Sequence, residues 1–274
     1  MRPNIFNPIS PEDFQFVRRL IEKKSGVSIS EDKLSLVENR LRSRLHILKL
    51  DNYSDYVEYI RENEFEESQY FVDVLTTHTT HFFRESKHFS VLKDYIEQGH
   101  FATGERLNIW CAACSTGEEA YTLAMVLEEL GSNLEHLDYR ILASDVSEPA
   151  IASAEEGVFD ANRISEIPPD LLAKYFKQNA SRTKIKAKPA LRDKIKFRKI
   201  NLADSDFCAP IKFDIIFLRN VLIYFNDDLI EKIGMKMYEG LNRDGLFFIG
   251  FSENIGKSRD LFEDLDISVF KRNK

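Results

Sequence analysis

The chain has 274 residues, of which 43% are hydrophobic and 30% charged, and a formal net charge of -7. That length holds one large domain or two modest ones around a sizeable core, and the acidic balance excludes indiscriminate binding to nucleic acid or an anionic membrane. No apolar run approaches the roughly 20 residues that span a bilayer, the N-terminus lacks the apolar stretch of a signal peptide, and three cysteines make no disulfide framework. The expectation is a soluble, cytoplasmic protein.

Residues 10 to about 98 read as helices. Ser10-Pro11-Glu12-Asp13 supplies an N-cap, a proline at the first helical position and acids in the first turn; Phe14, Val17, Leu20 and Ile21 follow at helical spacing, and Gly26 marks the end. Ser30-Glu31-Asp32 opens a second helix with Leu34, Val37, Leu41, Leu45 and Leu48 on one face. Residues 54–63 and 66–77 predict two more, and residues 88–98 another that leads onward. From Leu107 short apolar runs (LNIWCAA, YRILASD, FDIIFLRN, GLFFIGF) alternate with helical stretches at 117–130, 148–156 and 227–241, and ISVFKR reads as a last strand. Strand–helix alternation predicts an α/β domain with a mainly parallel sheet covered on both faces. Residues 160–200 interrupt it with Pro168, Pro169, Pro189 and the run KIKAKPALRDKIKFRK; lysines alternating with apolar residues predict a small β-rich insert with lysine-guarded edge strands. The predicted domains are a helical region with linker over 1–98 and an α/β domain over 99–274.

The first strand of that domain runs into Ala113-Cys114-Ser115-Thr116-Gly117, with a helix from about Glu118. Small residues there let the backbone approach a ligand beyond the strand ends. Glu118 and Glu119 suit the helix dipole but repel a pyrophosphate, so a cation such as S-adenosylmethionine (SAM) fits better than a dinucleotide. The next strand closes on Asp145, which either accepts from ribose hydroxyls or caps the following helix.

IWCAACSTGEEAYTLAM, ILASDVSEPAIASAEEGVF, FDIIFLRNVLIYF and LTTHTTHFFRESKHF resemble, in order and over nearly the whole chain, the motifs of CheR-type chemotaxis receptor methyltransferases. The resemblance implies a Rossmann-like methyltransferase domain preceded by an all-α domain, SAM as donor with S-adenosylhomocysteine as product, and receptor glutamates on cytoplasmic helices as acceptors. It implies no metal, no nucleic acid and no membrane insertion; a monomer is expected. Position by position it places cofactor contacts at Thr80, Arg84, Ala113, Glu118, Asp145, Asn201, Leu202, Arg219 and Asn220, and catalytic groups at Arg84, Arg219 and Tyr224. Ala120 stands where the family's GEEPY motif has proline, and KQNASRTKIKAK lacks the glycine-rich turn with which some members bind a receptor's C-terminal peptide. A tether-independent enzyme is therefore expected.

Methyl transfer to an ionised carboxylate needs alignment and desolvation rather than a base. Arg84 and Arg219 are the natural carboxylate partners, one for the acceptor and one for SAM's own carboxylate, with Tyr224 orienting either; a structural arginine at the strand end is the other reading of Arg219. Lys33, Arg40 and Arg44 recur at helical spacing and read as a docking face for an acidic helix, in line with the face this family turns to its receptor; a merely solvated face is the alternative. The Cys111-x-x-Cys114 spacing is read as incidental, since neither cysteine opens the helix. His78, His81 and His88 are read as surface or cleft side chains, and Phe82 and Phe83 as interdomain packing. Competing readings are a SAM methyltransferase with another acceptor, or a binding scaffold without turnover.

Overall fold

The computed structural model describes residues 7–101, 105–134, 137–205, 207 and 211–273. Their contacts form two compact units: one of residues up to Thr77 with Leu202–Ser205 and Tyr224–Asn226, the other of the remainder from His78. No helix among the described residues is long and apolar enough to cross a membrane.

The first unit is built from α1 (Pro11–Ser25), α2 (Leu34–Leu48), α3 (Tyr53–Glu62) and α4 (Glu64–Leu75). Ser10 Oγ accepts from the Asp13 N–H at 3.1 Å, and Gly26 ends α1 in the left-handed conformation (φ 76). The acids after Ser30 form a short 3-10 turn, Glu31–Lys33, ahead of α2. The apolar stripes of the helices, among them Val17, Ile21, Val37, Leu41, Tyr56, Ile60 and Phe71, are buried together.

The second unit begins with α5 (Lys87–Glu97) and then alternates β1 (Leu107–Ala112), α6 (Glu118–Asn133), β2 (Tyr139–Asp145) and α7 (Glu148–Glu156). β3 (Val158–Asp160), α8 (Pro169–Tyr175), β4 (Phe176–Gln178), β5 (Lys184–Ala187) and α9 (Pro189–Arg192) form the insert. β6 (Ile195–Lys199), β7 (Phe213–Leu218), α10 (Asp227–Gly240), β8 (Leu241–Ile249), β9 (Phe262–Asp266) and β10 (Val269–Arg272) complete it. The main sheet has the order β6-β2-β1-β7-β8-β10-β9. The first five strands are mutually parallel; β10 runs antiparallel to both β8 and β9. This is the mainly parallel Rossmann-like sheet that the strand–helix alternation predicts.

Three details differ from the sequence reading. Residues 78–98, taken as part of the helical region with its linker, pack with the α/β unit, because Phe89, Leu92, Tyr95 and Ile96 of α5 join the core cluster of β1, α6 and β7. KIKA (β5) is the centre of the three-stranded insert sheet β3-β5-β4 and not a guarded edge; Ile185 and Ala187 point inward while Lys184 and Lys186 face solvent. IKFRK (β6) belongs to the main sheet, where it is the edge. Phe82, moreover, is fully buried against Phe159 of β3 (4.9 Å) and Phe176 of β4 (5.8 Å), packing within the second unit.

Candidate active site

The order of the parallel strands reverses between β1 and β7, the kind of switch point beyond which open sheets bind ligands. The loop leaving β1 there carries two non-glycine residues in the left-handed region, Ala113 (φ 58) and Ser115 (φ 51), followed by Gly117 (φ 98). Such residues persist only where the surroundings over-determine them, at about 1–3 kcal/mol each. Gly117 is required twice over, since a Cβ there would meet the Cβ of Ala154 at 2.9 Å. The restraints are visible: the Cys114 N–H donates to the Ser144 carbonyl (2.8 Å), the Ser115 N–H to Asp145 Oδ2 (2.8 Å) and the Ser115 hydroxyl to the His78 carbonyl (3.3 Å).

Asp145 therefore shapes the loop, and its Oδ1 also accepts from the Ser147 N–H at 3.0 Å. The helix-cap reading is answered: Ser147 caps α7, its Oγ accepting from the Ala150 N–H at 3.3 Å. Each Asp145 oxygen accepts one of these hydrogen bonds and has a further lone pair. At the end of β6, which the Ile200 N–H ties to the Asp145 carbonyl at 3.0 Å, Asn201 is half-buried and Leu202 buried.

The two acids that open α6 are not an uncompensated negative face. Glu118 is fully buried; its Oε2 accepts from the Thr116 hydroxyl (2.6 Å) and its Oε1 lies 2.5 Å from Arg163 Nη2. Burial raises its carboxyl above the usual range, against the Thr116 hydrogen bond and the Arg163 charge. Glu119 Oε2 pairs with Arg219 at 2.6 Å, and its Oε1 accepts from the Cys111 thiol at 3.3 Å. Arg163, which sequence reading missed, also donates to the Thr80 carbonyl (3.3 Å) and Thr116 Oγ1 (3.4 Å), so the insert grips the loop that SAM is expected to occupy. It lies 45 residues from Glu118 with no motif to flag it. Glu118 Oε1 has no hydrogen bond of good geometry among the described residues beyond that ionic contact. A buried carboxylate oxygen without a well-aligned donor, beside a strand-end loop of small residues, fits an ammonium or hydroxyl of SAM.

Arg219 has a side chain with no exposed surface. Its Nη1 donates to Glu119, and its Nη2 to Glu85 Oε2 (2.9 Å) and the Arg84 carbonyl (2.6 Å). The fork expected to bind a carboxylate of substrate or cofactor is filled by two carboxylates of the protein itself. Asn220 (φ 58) donates from Nδ2 to Glu85 Oε1 at 3.1 Å. Burial pushes the Glu85 carboxyl up, but the Asn220 and Arg219 hydrogen bonds and the Arg219 charge outweigh it and leave it below the usual range. The Arg84 side chain makes one hydrogen bond among the described residues, Nη1 to the Thr79 carbonyl at 3.0 Å. Tyr224 belongs to the first unit, its carbonyl accepting from the Ser28 N–H at 2.7 Å.

The docking candidates separate in the same way. Arg40 caps α4, donating to the Leu75 and Thr76 carbonyls and, at 2.8 Å, to Thr77 Oγ1. Arg44 forms a bidentate pair with buried Glu67 (2.7 and 2.5 Å). Lys33 extends into solvent beside Asp32 (3.2 Å). A cavity of about 740 Å³ along β2 and β6, lined by Arg140, Leu142, Lys196 and Arg198 among others, contains none of the expected residues.

Cys111 and Cys114 are buried thiols whose ionisation burial pushes up, so they are poor nucleophiles. His88 is not a cleft side chain: it is fully buried, edge-on to Phe248 (5.6 Å) and Phe251 (4.6 Å). Burial, then the Arg219 charge, pushes its pKa down to about 4. An unfolded histidine titrates near 6.5, so between about 6.5 and 4 the unfolded chain holds a proton that the fold refuses, and stability falls as the pH drops through that window by up to about 3 kcal/mol. Between pH 7 and pH 4 the urea midpoint of the wild type should fall relative to that of His88→Leu; a difference that stays constant with pH would refute the assignment.

The sheet order and the restrained loop at its switch point define a Rossmann-like, SAM-dependent methyltransferase. The family model described as "CheR methyltransferase, SAM binding domain" matches residues 78–271, and "CheR methyltransferase, all-alpha domain" matches residues 12–76. The chain is 35% identical over 261 residues to chemotaxis protein methyltransferase 2 of Pseudomonas aeruginosa, covering 94% of this chain and 92% of the relative. It is 33% identical over 272 residues to the chemotaxis protein methyltransferase of Borreliella burgdorferi (97% and 95% covered) and 32% identical over 250 residues to that of Escherichia coli (90% and 85% covered). The chain belongs to the CheR methyltransferase family.

Proposed function

We propose that this chain transfers the methyl group of SAM to glutamate side chains on the glutamate-rich cytoplasmic helices of methyl-accepting chemotaxis receptors, acting in the cytoplasm as a monomer without a peptide tether. The observation that carries the receptor assignment is the succession, in one chain, of the all-alpha and SAM-binding domains, which it shares at near-full length with relatives named for chemotaxis.

SAM supplies a methyl group made electrophilic by its sulfonium. An acceptor glutamate titrates near 4.3 and is already ionised at neutral pH. A carboxylate O–methyl bond forms as the S–methyl bond breaks, the electron pair leaves on sulfur, and S-adenosylhomocysteine is the second product; no proton moves. The residues have only to bind, align and exclude water. Ala113, Glu118, Asp145, Thr80, Asn201 and Leu202 would frame the cofactor, and Arg84, with most of its fork uncommitted, would hold a carboxylate. Tyr224 would orient the acceptor through its hydroxyl. Arg219 and Asn220 serve the site at one remove, by holding Glu85 and the Arg84 backbone.

Incubation with methyl-labelled SAM and receptor cytoplasmic fragments should give protein-bound label that alkali releases, the mark of a methyl ester. Alkali-stable label would point to another acceptor, and no label on any fragment to a scaffold. Arg84→Ala should lower kcat/KM on the order of a hundredfold and leave unfolding free energy within about 0.5 kcal/mol of wild type, with Tyr224→Phe affecting rate in the same direction. Wild-type rates for both variants at saturating SAM would remove them from the mechanism.

A further inference from the structure

The Arg84 turn is conformationally unusual. Phe83 (φ 54) and Glu85 (φ 52) flank Arg84 in the left-handed region, and Asn220 (φ 58), which bonds to Glu85, is a third such residue. Glu85 is held by Arg219 and Asn220, and the Arg84 carbonyl by Arg219. What holds Asn220 is Glu253, in the loop after β8. Its Oε2 accepts from the Asn220 N–H (2.7 Å) and the Gly250 N–H (2.6 Å), and its Oε1 from the Leu222 N–H (2.7 Å), with the Ile223 N–H farther off at 3.4 Å. One carboxylate thus fastens the loops after β7 and β8 together. Gly250 permits it: a Cβ there would lie 2.6 Å from Glu253 Oε2 and 2.7 Å from Asn220 Nδ2. No motif singled out in the sequence includes Glu253.

We propose that Glu253 is a positioning residue for methyl transfer, fixing Asn220 so that the Asn220–Glu85 contact presents Arg84 in its working orientation. The proposal rests on the reading of Arg84 given above. A carboxylate is needed because both oxygens face N–H donors; glutamine turns an NH2 group against one pair or the other, whichever way it is flipped.

The test is a double-mutant cycle on the full-length protein. Glu253→Gln should lower kcat/KM for receptor-fragment methylation by roughly tenfold to a hundredfold, with circular dichroism unchanged. In an Arg84→Ala background the same substitution should change it by less than about twofold, because the group it positions is already gone. Gly250→Ala disturbs the same contacts without touching a charge; it should give the same pair of results and replaces Glu253→Gln if that variant does not fold. Equal losses in both backgrounds would mean a general structural role and overturn the proposal. So would wild-type activity in the Glu253→Gln and Gly250→Ala proteins, or an inert Arg84→Ala. If the wild type methylates no receptor fragment, the acceptor assignment fails on its own, and the cycle is read from SAM dissociation constants by calorimetry: non-additive losses support the positioning role, while additive losses or none overturn it.

Discussion

Replacing Arg219 with alanine should destabilise the α/β unit by about 3–5 kcal/mol, the range for breaking a buried ion pair by removing one partner. The guanidinium has no exposed surface, and it bridges Glu85 and Glu119, whose side chains are 16% and 13% exposed. Its loss leaves two carboxylates in a poorly solvated pocket without their counter-charge. It also removes the bond to the Arg84 carbonyl and the contacts with the Phe89 and Phe217 rings at 5.5 and 5.9 Å. Against a total stability of about 5–15 kcal/mol, such a loss removes from about a fifth to all of the folded state's margin. Trp110, the only tryptophan and 3% exposed in β1, makes urea unfolding of this unit directly readable by fluorescence. Arg219→Ala combined with Glu119→Gln should recover part of the loss, since one stranded charge is removed. If Arg219→Ala instead unfolded within about 1 kcal/mol of wild type yet lost all turnover, the arginine would be a ligand-binding group and the structural reading would be wrong.

That outcome bears on how the site works. Around Arg219 the protein assembles a cluster in which one guanidinium stands between two carboxylates: Glu119 from α6 and Glu85 from the turn before α5 meet it at the end of β7. Around the β1 loop, Arg163, Thr116 and Glu118 form a second cluster from the insert side. Charged groups paired with one another before any ligand arrives need no reorganisation when it does, which suits a reaction whose demands are alignment and exclusion of water. Arg84 stands out as the guanidinium in this cluster with the least internal engagement. It is accordingly the one whose removal should affect rate more than stability.

Much of this was legible in the sequence, for identifiable reasons. The strands β1, β2, β7 and β8 are apolar runs bounded by polar turns, and the caps at Ser10 and Gly26 act through local rules. The loop from Ala113 to Gly117 was legible as a tight strand-end loop because small residues follow a strand directly. What the sequence did not reveal is pairing. Whether Arg219 meets a substrate carboxylate or Glu85 and Glu119 depends on contacts 134 and 100 residues away in the chain. The same holds for Glu253, whose partners come from two loops, and for Arg163. β9 (Phe262–Asp266) was missed because FEDLD has one buried residue and pairs only through the hairpin with β10. KIKA was placed at an edge because its lysines alternate, but alternation reports one solvated face and says nothing about neighbours in the plane of the sheet.

In the helical unit, Arg44→Ala should likewise cost about 3–5 kcal/mol. Glu67 is 2% exposed at the side chain, and three helices meet on it: α2 through the bidentate Arg44, α3 through the Tyr56 hydroxyl at 2.8 Å, and α4, which carries it. The Arg44 guanidinium also lies 4.2 Å over the Tyr70 ring. Without Arg44 the carboxylate is stranded in the core of the bundle, and hydrogen exchange across residues 34–75 should rise before that of the sheet. A docking test that simply reverses Arg44 would therefore measure unfolding. The informative variant is the pair Arg44→Met with Glu67→Met, since replacing a buried ion pair by apolar residues of similar size is often close to neutral. If that double variant regains stability and also methylates receptor fragments with the wild-type KM and salt dependence, Arg44 is a structural residue alone. If stability returns but KM stays raised, Arg44 also faces the receptor and its pairing with Glu67 is only part of its role. Lys33, exposed beside Asp32, provides the comparison: Lys33→Glu should leave stability unchanged and weaken the salt-sensitive part of KM alone.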